Sequence, residues 1–137
     1  MKAIHVRNKL INNRKKVKEM IKIIEKFILK RELKKANYPW INITPMALLD
    51  YRYQVKGNSK EPTWLLERKL NRNFYLAEQV YEDKEHNIIH KKFGALTIIY
   101  DTYLEMIIGI VNHKGQWFEY QIDKDLKNKL NKLYKIK

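Results

Sequence analysis

With no cysteine in the chain, its four histidines are the first candidates for chemistry. His86 and His90 stand four residues apart, the spacing that sets two imidazoles on one face of a helix. The segment His86-Asn87-Ile88-Ile89-His90 nevertheless lacks the Glu of a metalloprotease helix, and on a strand the same pair would lie about 13 Å apart. Neither geometry makes a chelate. His113 beside Lys114 is a different kind of pair. A metal-free ribonuclease needs a general base, a general acid and a cation at the scissile phosphate, and these two with a Tyr or Arg from a neighbouring strand have the required groups. In a turn they would simply be solvated. Asp101, Glu105 and Glu119 are carboxylates that one end of a sheet could gather into a metal-nuclease site. Gln121 stands where such a site would carry Lys, and turn or cross-strand duty accounts for all three. Gly57, Gly94, Gly109 and Gly115 are isolated, so no glycine-rich loop can wrap backbone N–H groups around a nucleotide phosphate. These residues lead to no metal and no cofactor.

Binding chemistry is better supplied. The formal charge of +14 is concentrated at the ends of the 137-residue chain. Residues 1–37 hold thirteen Lys/Arg against three Glu, residues 123–137 hold six against two, and residues 38–122 balance ten against ten. Lys15, Lys18, Lys22, Lys26 and Lys30 recur with helical period, with Arg14 beside them. Leu10, Val17, Met20, Ile21, Ile24, Phe27 and Ile28 keep the same period half a turn away. The expectation is a helix whose apolar stripe packs down while its Lys stripe faces water and grips phosphates. Trp117, Tyr75, Tyr81 and Tyr103 are rings that a sheet could offer to unpaired bases, or could use to fill a core. Lys outnumbers Arg nearly four to one, which favours contact with backbone or shape over bidentate reading of guanine edges. An AT-rich coding bias also raises Lys, although it would not leave the middle of the chain balanced.

The elements that must position these residues are legible from pattern. Periodicity runs as helix from about Arg7 to Ala36 and is stopped by Asn37-Tyr38-Pro39. Thr44-Pro45 opens a short helix to about Val55, which Gly57-Asn58-Ser59 ends, and Pro62-Thr63 opens a third with Leu66, Leu70 and Phe74 inward. From about Tyr75 the texture is β-branched and aromatic. Tyr75–Tyr81 and Asn87–Lys92 are expected to pair across residues 82–86, and Leu96–Tyr100 to turn at Asp101-Thr102. A strand with Leu104, Met106, Ile108 and Ile110 on one face should return through a hairpin at residues 112–115 into Trp117–Ile122. Asp123 should cap a closing basic helix with Leu126, Leu130 and Leu133 inward. The expected fold is α+β in a single domain over residues 1–137. A long basic N-terminal helix and short helices precede a four- or five-stranded antiparallel meander and a C-terminal helix, with both basic helices on the sheet.

A helical alternative exists. Ile89, Phe93, Leu96, Tyr100, Tyr103, Ile107 and Ile110 also fall at helical steps, which would make the chain mainly α with a C-terminal helix-turn-helix. In that layout it resembles phage late-transcription activators, and the resemblance implies a DNA-binding transcription regulator. Gly94, Gly109 and the alternation over Trp117–Ile122 oppose it.

The leading functional expectation is a non-enzymatic protein that binds RNA or DNA through Arg14, Lys15, Lys18, Lys22, Lys26, Lys30 and Trp117. Behind it stand the ribonuclease, the helix-turn-helix regulator, and an interaction module for an acidic protein or an anionic membrane. The longest apolar run, Met106 to Val111, is too short to span a bilayer. Without cysteine the chain suits the cytoplasm or another reducing intracellular compartment. Oligomeric state is not set by the sequence.

Overall fold

The structure is a computed structural model that describes residues 2–113 and 122–136. It is α+β, in two compact units, Met1–Pro39 and Trp40–Lys137.

The first unit is one helix, α1 (Lys2–Lys35). It ends where Tyr38 N–H donates to the carbonyl of Leu33 and Asn37 takes the left-handed conformation, φ 67°, which Asn tolerates at a helix terminus and which closes the last carbonyls before Pro39. The expected packing of its apolar stripe is not what is found. Leu10, Val17, Met20, Ile21, Ile24, Phe27 and Ile28 are all exposed, from 45% for Ile28 to 68% for Phe27. Among its described side chains the buried ones are Leu29 and Leu33. At about 100° per residue these two lie within the arc of the lysines, not within the apolar stripe. Periodicity identified a stripe correctly, but it carries no information about which face finds a partner.

The second unit opens with β1 (Asn42–Ile43) and two helices, α2 (Pro45–Gln54) and α3 (Thr63–Leu76). Thr44 caps α2 by accepting from Ala47 N–H at 3.2 Å, and Pro45 fills the first turn, where no N–H is needed. Four strands follow: β2 (Glu78–Asp83), β3 (Ile88–Phe93), β4 (Leu96–Asp101) and β5 (Met106–Asn112). The sheet order is β1-β5-β4-β3-β2. Its last four members form the expected antiparallel meander, and β1 adds a parallel edge beside β5 that periodicity could not announce from two residues. Strands over 88–112 remove the mainly helical alternative with its helix-turn-helix. Gly94 takes φ 60° in the turn between β3 and β4, where a helix would have had to continue.

Two details of the sheet differ from alternation. Ile99 opposes Gly109 while Tyr100 opposes Ile107, so Ile108 is an extra residue on β5. This bulge reverses the phase of the strand, and the side chains buried in the core are Ile107 and Ile110. Leu104, expected on the strand, is exposed in the turn before it, and Met106 pairs with Asp101 on the other face. Tyr75, expected to begin a strand, belongs to α3.

One face of the sheet carries Phe93, Leu96, Ile98, Ile107 and Ile110. Helices α2 and α3 cover it, α2 against β5 and α3 against β3, with Ala47, Tyr51, Leu66, Leu70 and Phe74 completing the core. The closing helix α4 (Lys124–Leu133) begins as expected, with Asp123 accepting from Leu126 N–H at 3.0 Å. It packs on α3 and buries Leu130, where the sheet had been the expected support. The predicted hairpin at 112–115 and the strand Trp117–Ile122 fall largely outside the described residues.

Candidate nucleic-acid interface

Of the residues expected to bind nucleic acid, Arg14, Lys15, Lys18, Lys22, Lys26 and Lys30 all stand on α1 and are all exposed. Trp117 lies outside the described residues. The five lysines occupy an arc of about 120° and run about 22 Å along the axis. Lys18, Lys22, Lys26 and Lys30 form an unbroken series at four-residue steps. Each is the helix-surface neighbour of the next, so like charges repel along the series unless an anion lies between them. Glu19 is the one acid inside the arc. Arg14 sits at its edge, beside a shallow depression that it lines with Leu10, Asn13, Val17 and Lys18. The helix dipole adds to the asymmetry, because no acid occupies the first turn while Lys34 and Lys35 close the last. This surface can hold phosphates by Coulomb attraction.

The candidates for catalysis are placed elsewhere and apart. His86 lies in the turn between β2 and β3, its Nδ1 2.8 Å from Asp83 Oδ2, and this contact holds the Asp83 carboxyl below its usual range. His90 lies within β3, its ring 4.9 Å from that of Tyr81. His113 is half-buried just past β5. Its backbone N–H donates to the carbonyl of Ala95, and its Nε2 lies 3.1 Å from Thr97 Oγ1. The sequence had offered a freely solvated turn residue. Its ribonuclease partner Lys114 lies outside the described residues, as do Glu119 and Gly115. Asp101 has turn duty: its Oδ1 accepts from Tyr103 N–H and Leu104 N–H, both at 2.9 Å, and Glu105 behind it adopts φ 55°. Among the described residues no three of His, Asp and Glu gather as metal ligands.

The aromatic candidates divide. Tyr103 is 80% exposed at the tip of the β4–β5 turn and Tyr81 is exposed on edge strand β2, while Tyr75 is half-buried against Phe74. Two features escaped the sequence reading. Lys91 projects to the core side of β3, where its Nζ sits 4.1 Å from the centre of the Phe74 ring and burial pushes its pKa down. Trp64 is exposed on α3 with the Arg68 guanidinium 4.9 Å from its ring. Lys91 had no sequence signal beyond its residue type, because its place depends on which side of β3 faces the core, whereas Trp64 and Arg68 stand four residues apart, a helix-surface spacing that the sequence carries.

Fold and surface together define a small α+β protein that carries a long cationic helix. A protein-family model described as YorE matches residues 41–133, and the chain belongs to the YorE family. The match starts at the second residue of the second unit, so α1 lies outside it. No curated protein and no solved structure matches the chain. Among the described residues no helix is long and apolar enough to cross a membrane.

Proposed function

We infer that this is a non-enzymatic nucleic-acid-binding protein that grips phosphates through α1. The observation that carries this reading is the exposed, one-sided face of Lys15, Lys18, Lys22, Lys26 and Lys30, which a phosphate backbone would complement. Arg14 extends the same face. Exposed Tyr81 and Tyr103 offer rings to unpaired bases. Because no Arg stands inside the lysine arc, backbone contact fits better than base-specific reading. The lack of cysteine suits a reducing intracellular compartment.

The test is binding to labelled single-stranded RNA and duplex DNA across a salt series. Log affinity should fall linearly with log salt, and a variant with Lys15, Lys18, Lys22 and Lys26 changed to Gln should lose about 3 to 4 from the slope on duplex DNA. An unchanged slope would remove α1 from the interface. A second reading, an interaction module for an acidic protein or an anionic membrane, draws on the exposed apolar stripe of α1. Flotation with phosphatidylserine vesicles separates it from polyanion binding. The ribonuclease reading rests on His113 with Lys114, and intact RNA after long incubation with the pure protein would exclude it.

A further inference from the structure

Eight large apolar side chains between Leu10 and Ile28 are exposed along one side of α1, a contiguous strip beyond what a monomer ordinarily leaves in water. Leu10, Val17 and Ile24 recur every seven residues, with Asn13, Met20 and Phe27 three places after them. This is the spacing of a two-stranded coiled-coil seam, with Ile21, Ile23 and Ile28 widening it. We propose that this face is covered by the α1 of a second copy of the chain, running antiparallel.

The direction follows from the charges. Residues 7–18 carry six Lys/Arg and no acid, whereas residues 19–30 carry three Lys and two Glu. A parallel pair would set the two strongly cationic halves side by side, together with the two positive ends of the helix dipoles. An antiparallel pair sets each strongly cationic half against a nearly neutral one. The seam then closes: Leu10 meets Phe27 of the second copy, Val17 meets Met20, and Asn13 meets Ile24. The flanks are complementary too. Arg7 lies against Ile28, Arg14 against Ile21 and Lys16 against Ile23, so that the stems of the long cations cover the isoleucines while their heads reach water. Lys9 against Lys30 is the one like-charge pairing among these flanks. The two-fold axis of this register passes between Lys18 and Glu19, the midpoint of α1, so the helices overlap along their whole length. Lys15 and Lys22 stay on the outside of the pair.

Sedimentation equilibrium of the full chain at high salt should give about twice the 16.7 kDa of one chain. Val17→Glu with Ile24→Glu should give the monomer. Orientation is read from cysteines placed in a chain that has none. Leu10→Cys protein mixed with Phe27→Cys protein should form the mixed disulfide dimer, while Leu10→Cys alone should not cross-link, because its two thiols would sit about 26 Å apart along the axis. A monomer at every concentration overturns the proposal. So does efficient self-cross-linking of Leu10→Cys, which requires a parallel pair, or capture of a monomer by phosphatidylserine vesicles, which makes lipid the occupant. The variant with Lys15, Lys18, Lys22 and Lys26 changed to Gln should dimerise at least as well as the parent, so loss of nucleic-acid binding and loss of the dimer are separable.

Discussion

The side chain of Asn71 replaces a missing strand partner. It is fully buried on α3, where its Oδ1 accepts from Ile41 N–H at 2.6 Å and its Nδ2 donates to the Ile41 carbonyl at 3.1 Å. One amide thereby satisfies both backbone groups of the residue that leads into β1. Asn71→Ala leaves those groups buried and unpaired, and should cost about 2–4 kcal/mol in denaturant unfolding at unchanged m-value. Arg52 performs a similar duty for the loop between α2 and α3, donating to the carbonyls of Ser59 and Glu61 and to Thr63 Oγ1. Tyr75 makes the residue-scale prediction for pH. Its phenol is pushed up to about 12, first by burial and then by Tyr100. Its pKa is raised above the unfolded value, so the folded state keeps a proton that the unfolded state releases. The stabilisation is complete below about pH 10 and is lost as pH rises toward about 12. Lys91, pushed down by burial, acts with the opposite sign below its ordinary pKa. The difference between parent and Tyr75→Phe melts through the alkaline range therefore isolates the phenol, and Tyr75→Phe should show the shallower loss.

At the scale of the element, β5 shows why alternation read from sequence can be right about a strand and wrong about its faces. The bulge at Ile108 inserts one residue between Ile107 and Gly109, and both Ile107 and Ile110 reach the core because of it. Deleting Ile108 should restore a regular ladder with both residues still inward, and the melting temperature should fall by only a few degrees. Ile107→Ala, which empties a fully buried site, should cost about 2–5 kcal/mol. A deletion as damaging as Ile107→Ala would mean that the bulge itself is required. The turns were easier to read. Asp83 and Asp101 each accept backbone N–H groups past a strand end, and Asn87 and Glu105 take positive φ before the next strand. Asp is a common turn opener, so its place in both turns followed from residue type. Helix α1 was legible as a helix, including its two opposed stripes, but its exposed and buried faces were not.

At the scale of the whole molecule, the charge of +14 would make the two proposed processes respond to salt in opposite ways. Phosphate binding of that kind would weaken as salt rises, because the released counterions gain less entropy in a more concentrated bath. Pairing of α1 between two copies strengthens, because salt screens repulsion between cationic helices. Sedimentation and nucleic-acid affinity measured on one salt series should therefore move oppositely, and parallel movement would contradict one of the two assignments. The sequence by itself determined the α+β class, the helix starts at Thr44 and Asp123, the meander and the lysine arc. Each of these rests on capping chemistry, turn chemistry or a local period, and those act within a few residues. Only tertiary structure decided that β1 joins β5, that Asn71 holds Ile41, that Lys91 lies over Phe74, and that Leu29 and Leu33 are buried while the apolar stripe of α1 faces water. Burial belongs to pairs of surfaces distant in the chain, and one helix's periodicity describes only one surface of such a pair.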